Sequence, residues 1–306
     1  MKMINSIVVA ASLFTCAAWA QDPLPTFLTE ENGFERNCNG QFWHVQGIAI
    51  SDNAIYCGIL KNILKFDLTT GKCVKAIRSV EHTGDLCLYK GHIYTSTFTN
   101  FKAAEKNLND GRGLIQVYDE DLNLIKEKEL PFGLDGITVL DNIMYVGRGI
   151  IGYTPRRKCS VARLNADTLE LIDEIEIESG FDFRSGVQDM ASDGKNLFFS
   201  FYQIKDKTGV AVFTKDLKTV KTIPDSYPEG LDRLPNRFQD SDSKTTFFGI
   251  LRKFNRKNAQ GKTVHNYAHY LQIMKWDGEK MSDITPDAVK EMRKRPATQA
   301  PVKIKP

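Results

Sequence analysis

Beyond its first twenty residues the sequence has no apolar run long enough to cross a bilayer as a helix, which takes about 20 residues. The mature chain is therefore expected to carry no membrane-spanning helix. It also lacks a basic excess. The formal net charge is +3, whereas nucleic-acid binding calls for a clustered basic face, so no nucleic-acid partner is expected. The positive charge is local, at 252–262 and in the tail after Glu291, and reads as solvated surface. No C-x-x-C pair exists, so zinc-site spacing is missing. A G-x-S-x-G elbow and an H-E-x-x-H motif are absent too, which removes the usual signatures of serine hydrolases and zinc proteases.

What is present begins with the leader. Lys2 is the sole charge before Asp22, an apolar stretch runs from Ile7 to Phe14, and Ala18-Trp19-Ala20 is a small-x-small exit. This is the pattern of a cleaved export signal. Residues 1–20 read as the signal peptide, with Gln21 as the new N-terminus. Phe14 and Thr15 make Cys16 a poor lipid-anchor site. Five cysteines follow cleavage: Cys38, Cys57, Cys73, Cys87 and Cys159. Export permits disulfides, and an odd count leaves at least one thiol outside any pair within the chain. Cys57 and Cys73 fall within one repeat, either as a bridge or as small apolar core residues.

Self-similarity at a spacing of about 40–50 residues organises the rest. Five units open alike: His44-Val45-Gln46-Gly47-Ile48, His82-Thr83-Gly84-Asp85-Leu86, Gly133-Leu134-Asp135-Gly136-Ile137, Gly186-Val187-Gln188-Asp189-Met190 and Tyr227-Pro228-Glu229-Gly230-Leu231. Each continues into an aromatic strand, such as Ala54-Ile55-Tyr56, His92-Ile93-Tyr94 or Ile143-Met144-Tyr145. Each closes with an alternating hairpin around a turn rich in Asp, Asn, Thr or Gly. In the fifth unit a longer gap, Asp232 to Lys244, precedes the second strand. Four strands per unit is the composition of a propeller blade. The fold class is all-β, a five-bladed β-propeller over 44–284. Another blade number and a β-sandwich are the competing folds. Residues 21–43 lie outside the repeat and are expected to pack on the ring. Thr285 and Pro286 start a short helix that Pro296 stops, and residues 285–306 combine that helix with a basic, proline-containing tail expected to be disordered.

In a propeller the first strand of every blade lines the central channel, so its opening residues converge at one mouth. Those residues are His44, Gln46, His82, Asp85, Asp135, Gln188, Asp189 and Glu229. Such a ring suits three uses: a polar ligand, a hard cation held by oxygens, or acid–base chemistry by carboxylates. Asp85, Asp135 and Asp189 are the candidates for holding calcium or another divalent cation. Asp135, Asp189, Glu229 and His82 are the candidates for catalysis. For any one of them the plainer role is satisfying a strand end. Nearby aromatics (Phe42, Trp43, Phe132, Tyr153, Phe181, Phe183, Tyr202 and Tyr227) would suit a sugar, or would pack between blades. Arg148, Arg184 and Arg233 offer bidentate contacts to an anionic group.

The openings at 44–48 and 228–231, with the hairpin Asp67-Leu68-Thr69-Thr70-Gly71-Lys72, resemble exported bacterial five-bladed propellers. The first blade is similar to that of the plant-and-bacterial type of glutaminyl cyclase, where a Thr-Gln-Gly-Leu opening leads to an Asp-Leu-x-Thr-Gly-Lys hairpin. The resemblance implies the fold and, from that family, a cyclase activity. Three functional classes stand at this point: a monomeric exported propeller binding a small polar or carbohydrate ligand or a protein partner, a metal-assisted hydrolase, lyase or cyclase, and a scaffold for protein contacts.

Overall fold

The computed structural model describes residues 45–150, 155–201, 209–223, 230–241, 244–257, 260 and 263–294. Its strands form five four-stranded antiparallel sheets, each built from four consecutive strands. Blade 1 holds β1 (Gly47–Ile50), β2 (Ala54–Ile59), β3 (Asn62–Asp67) and β4 (Cys73–Arg78). Blade 2 holds β5 (His82–Tyr89), β6 (His92–Thr99), β7 (Arg112–Asp119) and β8 (Leu124–Leu130). Blade 3 holds β9 (Leu134–Leu140), β10 (Ile143–Arg148), β11 (Arg156–Asn165) and β12 (Leu171–Phe183). Blade 4 holds β13 (Val187–Ser192), β14 (Asn196–Phe201), β15 (Val210–Thr214) and β16 (Thr219–Ile223). Blade 5 holds β17 (Leu231–Arg233), β18 (Thr246–Lys257), β19 (Thr263–Trp276) and β20 (Met281–Asp283). The molecule is a five-bladed β-propeller.

The core follows from this arrangement. A lone sheet cannot bury both of its faces, so each blade needs a neighbour on either side. Five separate apolar clusters result, one at each junction. Tyr56 and Ile63 meet Leu86 and Tyr118 between blades 1 and 2. Val117 and Leu134 meet Val146 and Leu164 between blades 2 and 3. Phe183 meets Phe201 between blades 3 and 4, and Phe198 meets Phe248 between blades 4 and 5. Ile48 and Phe66 meet Phe247 and Leu271 between blades 5 and 1. Among the described residues this last cluster closes the ring, since no blade borrows a strand from the far end of the chain.

The aromatic at the third place of each repeat's second strand has a shared task. Tyr56 donates its hydroxyl to the Glu120 carbonyl at 2.8 Å, Tyr94 to Ala166 at 3.3 Å and Tyr145 to Lys215 at 2.9 Å. Each acceptor sits in the outer turn of the following blade. The ring buries its apolar body in the junction while the hydroxyl pins the neighbour's turn. Burial pushes the Tyr56 and Tyr94 phenols up to about 12, so the hydroxyls remain donors at all ordinary pH. In blade 4 the equivalent residue is Phe198, which has no hydroxyl and instead packs edge-on against Trp276 at 5.3 Å. Those outer turns also hold Leu122, Leu169 and Leu217 at φ 58°, 61° and 60°. A left-handed leucine is strained. Each of the three side chains is buried in a junction cluster, which offsets that cost.

The outermost strands are the exposed edges. β8 reads Leu-Ile-Lys-Glu-Lys-Glu-Leu and β12 carries Asp173, Glu174, Glu176 and Glu178. Charge on an edge strand discourages pairing with other chains.

Two expectations are corrected. Cys57 pairs with Leu64 on β3, while Cys73 pairs with Phe66 on the other side of that strand. A whole strand lies between the two cysteines, so no bridge spans them. Thr285 does not cap the terminal helix. Its hydroxyl accepts the Ile273 amide at 3.0 Å and donates to Asp283, fastening β20 to β19, and the helix, α1, starts later, at Asp287–Lys294. Residues 1–44, which include the expected signal peptide, the N-terminal segment and Cys38, lie outside the described residues, as does the tail after Lys294.

Candidate functional site

The inner strand of each blade is a sheet edge turned toward the axis. Its outward N–H groups have no ladder partner, and in a narrow channel they have little water. Such groups must be satisfied by something else. Aligning the blades on the buried apolar residue that closes each opening motif (Ile48, Leu86, Ile137, Met190, Leu231) puts Gly47, Asp85, Gly136, Asp189 and Gly230 at equivalent places. Glycine at Gly47 is a spatial necessity, because a side chain there would run into the Asp85 backbone and carboxyl. Gly230 adopts φ +93° and presses on Ile48 of blade 1. The glycines bring the inner strands close to the axis, and two carboxyls fill what is left.

Asp85 is fully buried and ties three blades together. Its Oδ1 accepts the Leu86 amide at 2.8 Å, and its Oδ2 accepts Ile137 of blade 3 at 3.1 Å and Met190 of blade 4 at 2.7 Å. Burial, with Asp189 close by, pushes its carboxyl well above the usual carboxylate range. Asp189 accepts the Ser200 hydroxyl at 3.0 Å. The inner strands of blades 2, 3 and 4 each carry one extra residue here, within Thr83–Leu86, Leu134–Ile137 and Val187–Asp189. Such bulges re-aim side chains, here toward the axis.

The other expected residues divide clearly. Gln46 is buried, and its amide extends the blade 1 ladder to Gly58. Asp135 lies 3.5 Å from the Gln188 side-chain amide, and both are nearly buried. Burial raises the Asp135 carboxyl to about 7 against the lowering effect of its hydrogen bonds. His82 is half-buried at the first position of β5. His44 and Glu229 lie outside the described residues. Phe132, Phe181 and Phe183 are taken up by packing: Arg148 stacks over Phe132 at 5.3 Å, and the other two rings meet Phe201. Phe42, Trp43, Tyr153, Tyr202 and Tyr227 lie outside the described residues. Among the described residues no cluster of three or more His, Cys, Asp or Glu is arranged to hold a metal ion, and Asp85 turns its oxygens to three amide hydrogens.

The opposite mouth, where the inner strands end, holds a cavity of about 710 Å³ to which all five blades contribute. Cys87, Thr138 and Asp232 lie deepest in the fold. Tyr89, Lys90, Asp141, Ser192, Arg233 and Arg237 surround them. Asp232 is a carboxyl that the sequence repeat concealed, because it falls in the long gap of the fifth unit. It accepts the Ile50 amide of blade 1 at 2.7 Å and the Arg233 amide at 2.8 Å. Burial lifts it to about 7. The three arginines do not share one place. Arg148 stands opposite Leu134 at the mouth where inner strands begin, and Arg233 lines the cavity at the other. The run Gly147-Arg148-Gly149-Ile150-Ile151-Gly152 has the spacing of a dinucleotide fingerprint, but that fingerprint opens a helix after its strand, and among the described residues the element that follows is strand β11.

No protein-family profile and no curated protein matches the chain in sequence. In fold it is similar to glutaminyl cyclase of Myxococcus xanthus, with 10% identity and a TM-score of 0.50 over 82% of this chain and 94% of that one. It is also similar to hydrazine synthase of Kuenenia stuttgartiensis, at 12% identity and a TM-score of 0.44 over 78% of this chain. The chain spans 65% of the length of that protein. At such identities the likeness to the cyclase is one of fold alone.

Proposed function

We propose that the protein is an exported binding propeller that takes a small polar ligand on the propeller axis, in the cavity where the five inner strands end. The cavity carries the reading. Its volume of about 710 Å³ falls within the roughly 300–1,000 Å³ of small-molecule sites. Its lining mixes cations, carboxyls, hydroxyls and one tyrosine, the sort of polar set that fixes a ligand's orientation. Its lining includes the buried Cys87, Thr138 and Asp232 of three blades. Export rests on the leader, and the protein recovered outside the cytoplasm is expected to begin at Gln21.

The test is a thermal-shift panel of neutral sugars, amino acids, carboxylates and phosphates on the wild type and on Ser192→Trp, which fills the cavity from blade 4. At least one compound class should raise the wild-type melting temperature and leave the variant unchanged. Equal shifts in both proteins, or none in either, would rule the cavity out. A second reading, proton transfer, is favoured by one observation: Asp135 and Asp232 both titrate near 7, where a general acid–base group works best. It calls for turnover that follows a carboxyl titration and disappears in Asp135→Asn or Asp232→Asn.

A further inference from the structure

Arg233 is the last residue of β17 and lines the axial cavity. The other fixed charges of that lining have opposite charges at hand. Arg237 lies 3.7 Å from Asp52 and stacks over Phe238 at 4.3 Å. Asp141 has Lys215 at 3.9 Å, and Lys90 has Asp167 at 3.5 Å. Arg233 differs. Its sequence neighbour Asp232 spends one oxygen on the Ile50 amide and the other on the Arg233 backbone amide. Among the described residues nothing accepts a hydrogen bond from the Arg233 side chain, and its Nε is buried without a partner.

A guanidinium carries five N–H donors in a planar fork and cannot shed its charge. Leaving a buried donor unspent is costly. The fork matches the two oxygens of a carboxylate or phosphate. Thr138 and Ser192 offer hydroxyls in the same space, and Asn236 an amide. We infer that the cavity takes a small ligand bearing a carboxylate or phosphate, and that Arg233 holds this oxyanion. The inference rests on the cavity reading given above and adds to it the ligand's charge and its anchor.

Calorimetric and thermal-shift titrations of the full mature chain with inorganic phosphate and with succinate, against chloride at equal ionic strength, test it. Saturable stabilisation by one of the two anions beyond chloride is expected, and the stronger binder identifies the headgroup. Arg233→Met should weaken that anion about tenfold or more, the usual consequence of losing a charged hydrogen bond. Arg233→Lys, which keeps the charge but not the fork, should fall between them, and it serves should the methionine variant fold poorly. Lys158→Met, an equal change of charge on the outer part of blade 3, should leave the affinity unaltered. Unchanged affinity in Arg233→Met, or no anion effect in the wild type, overturns the inference. The Ser192→Trp variant separates the two levels. If it abolishes binding of a neutral compound while neither anion stabilises the wild type beyond chloride, the cavity stands and the oxyanion anchor falls. If it changes nothing, the cavity itself is wrong.

Discussion

Asp85→Ala is expected to lower the unfolding free energy by about 4 kcal/mol, from about 1–3 kcal/mol for each buried donor left without an acceptor. The substitution removes one small, fully buried side chain, and its main effect comes from three amides, Leu86, Ile137 and Met190, which donate to that carboxyl at 2.7–3.1 Å. Few single positions hold three blades together. Asp85→Asn should cost roughly half as much, because one oxygen still accepts while the new amide opposes a backbone N–H. Urea denaturation at pH 7 measures both. Loss of less than about 1 kcal/mol in the alanine variant would mean that the inner strands satisfy their amides without Asp85. A reduced m-value with the midpoint lowered would point further, to partial opening of the ring.

Stability should fall as pH rises from about 4 to about 7. Asp135 and Asp232 are buried and titrate near 7 in the fold, against about 3.9 in an unfolded chain. Their folded values are raised, so the folded state keeps these protons over a range in which the unfolded state has lost them. The resulting stability is complete below about 4 and is lost as pH climbs through 7. Each group contributes about 1.4 kcal/mol per pH unit inside that window. Asp85, raised by burial and by Asp189, acts in the same sense. Asp67, Asp119, Asp173 and Asp277 are lowered by their hydrogen bonds and act the other way. They lie at or near the surface, and their stabilisation is lost only at still lower pH. Melting temperatures at pH 5 and pH 8 test the sign, with pH 5 the higher. Asp232→Asn, which cannot ionise, should flatten the profile. A wild type equally stable at both values would show that these carboxyls are hydrated and titrate normally.

Much of each blade was legible in the sequence by itself, and five blades was its leading count, with another blade number and a β-sandwich still competing. Period-two alternation, Asp- and Asn-rich turns and a recurring aromatic are local signals, set by strand geometry and turn chemistry within a few residues. That is why the hairpin at Asp67–Lys72 and the tyrosines of β2, β6 and β10 were legible as repeats before their partners were known. It also marked out Asp85, Asp135, Gln188 and Asp189 as residues of the axis, since repetition alone puts them at one end of each inner strand. Tertiary structure decided what those residues touch. The Asp85 carboxyl finds amides 52 and 105 residues away, and Asp232 finds one 182 residues away. No local pattern encodes such pairings, because they exist only once five inner strands are packed around one axis. The same closure put a cavity at the mouth where those strands end. It gathered Lys90, Ser192 and Arg233 from three different blades, and it left Arg233 facing the space between them.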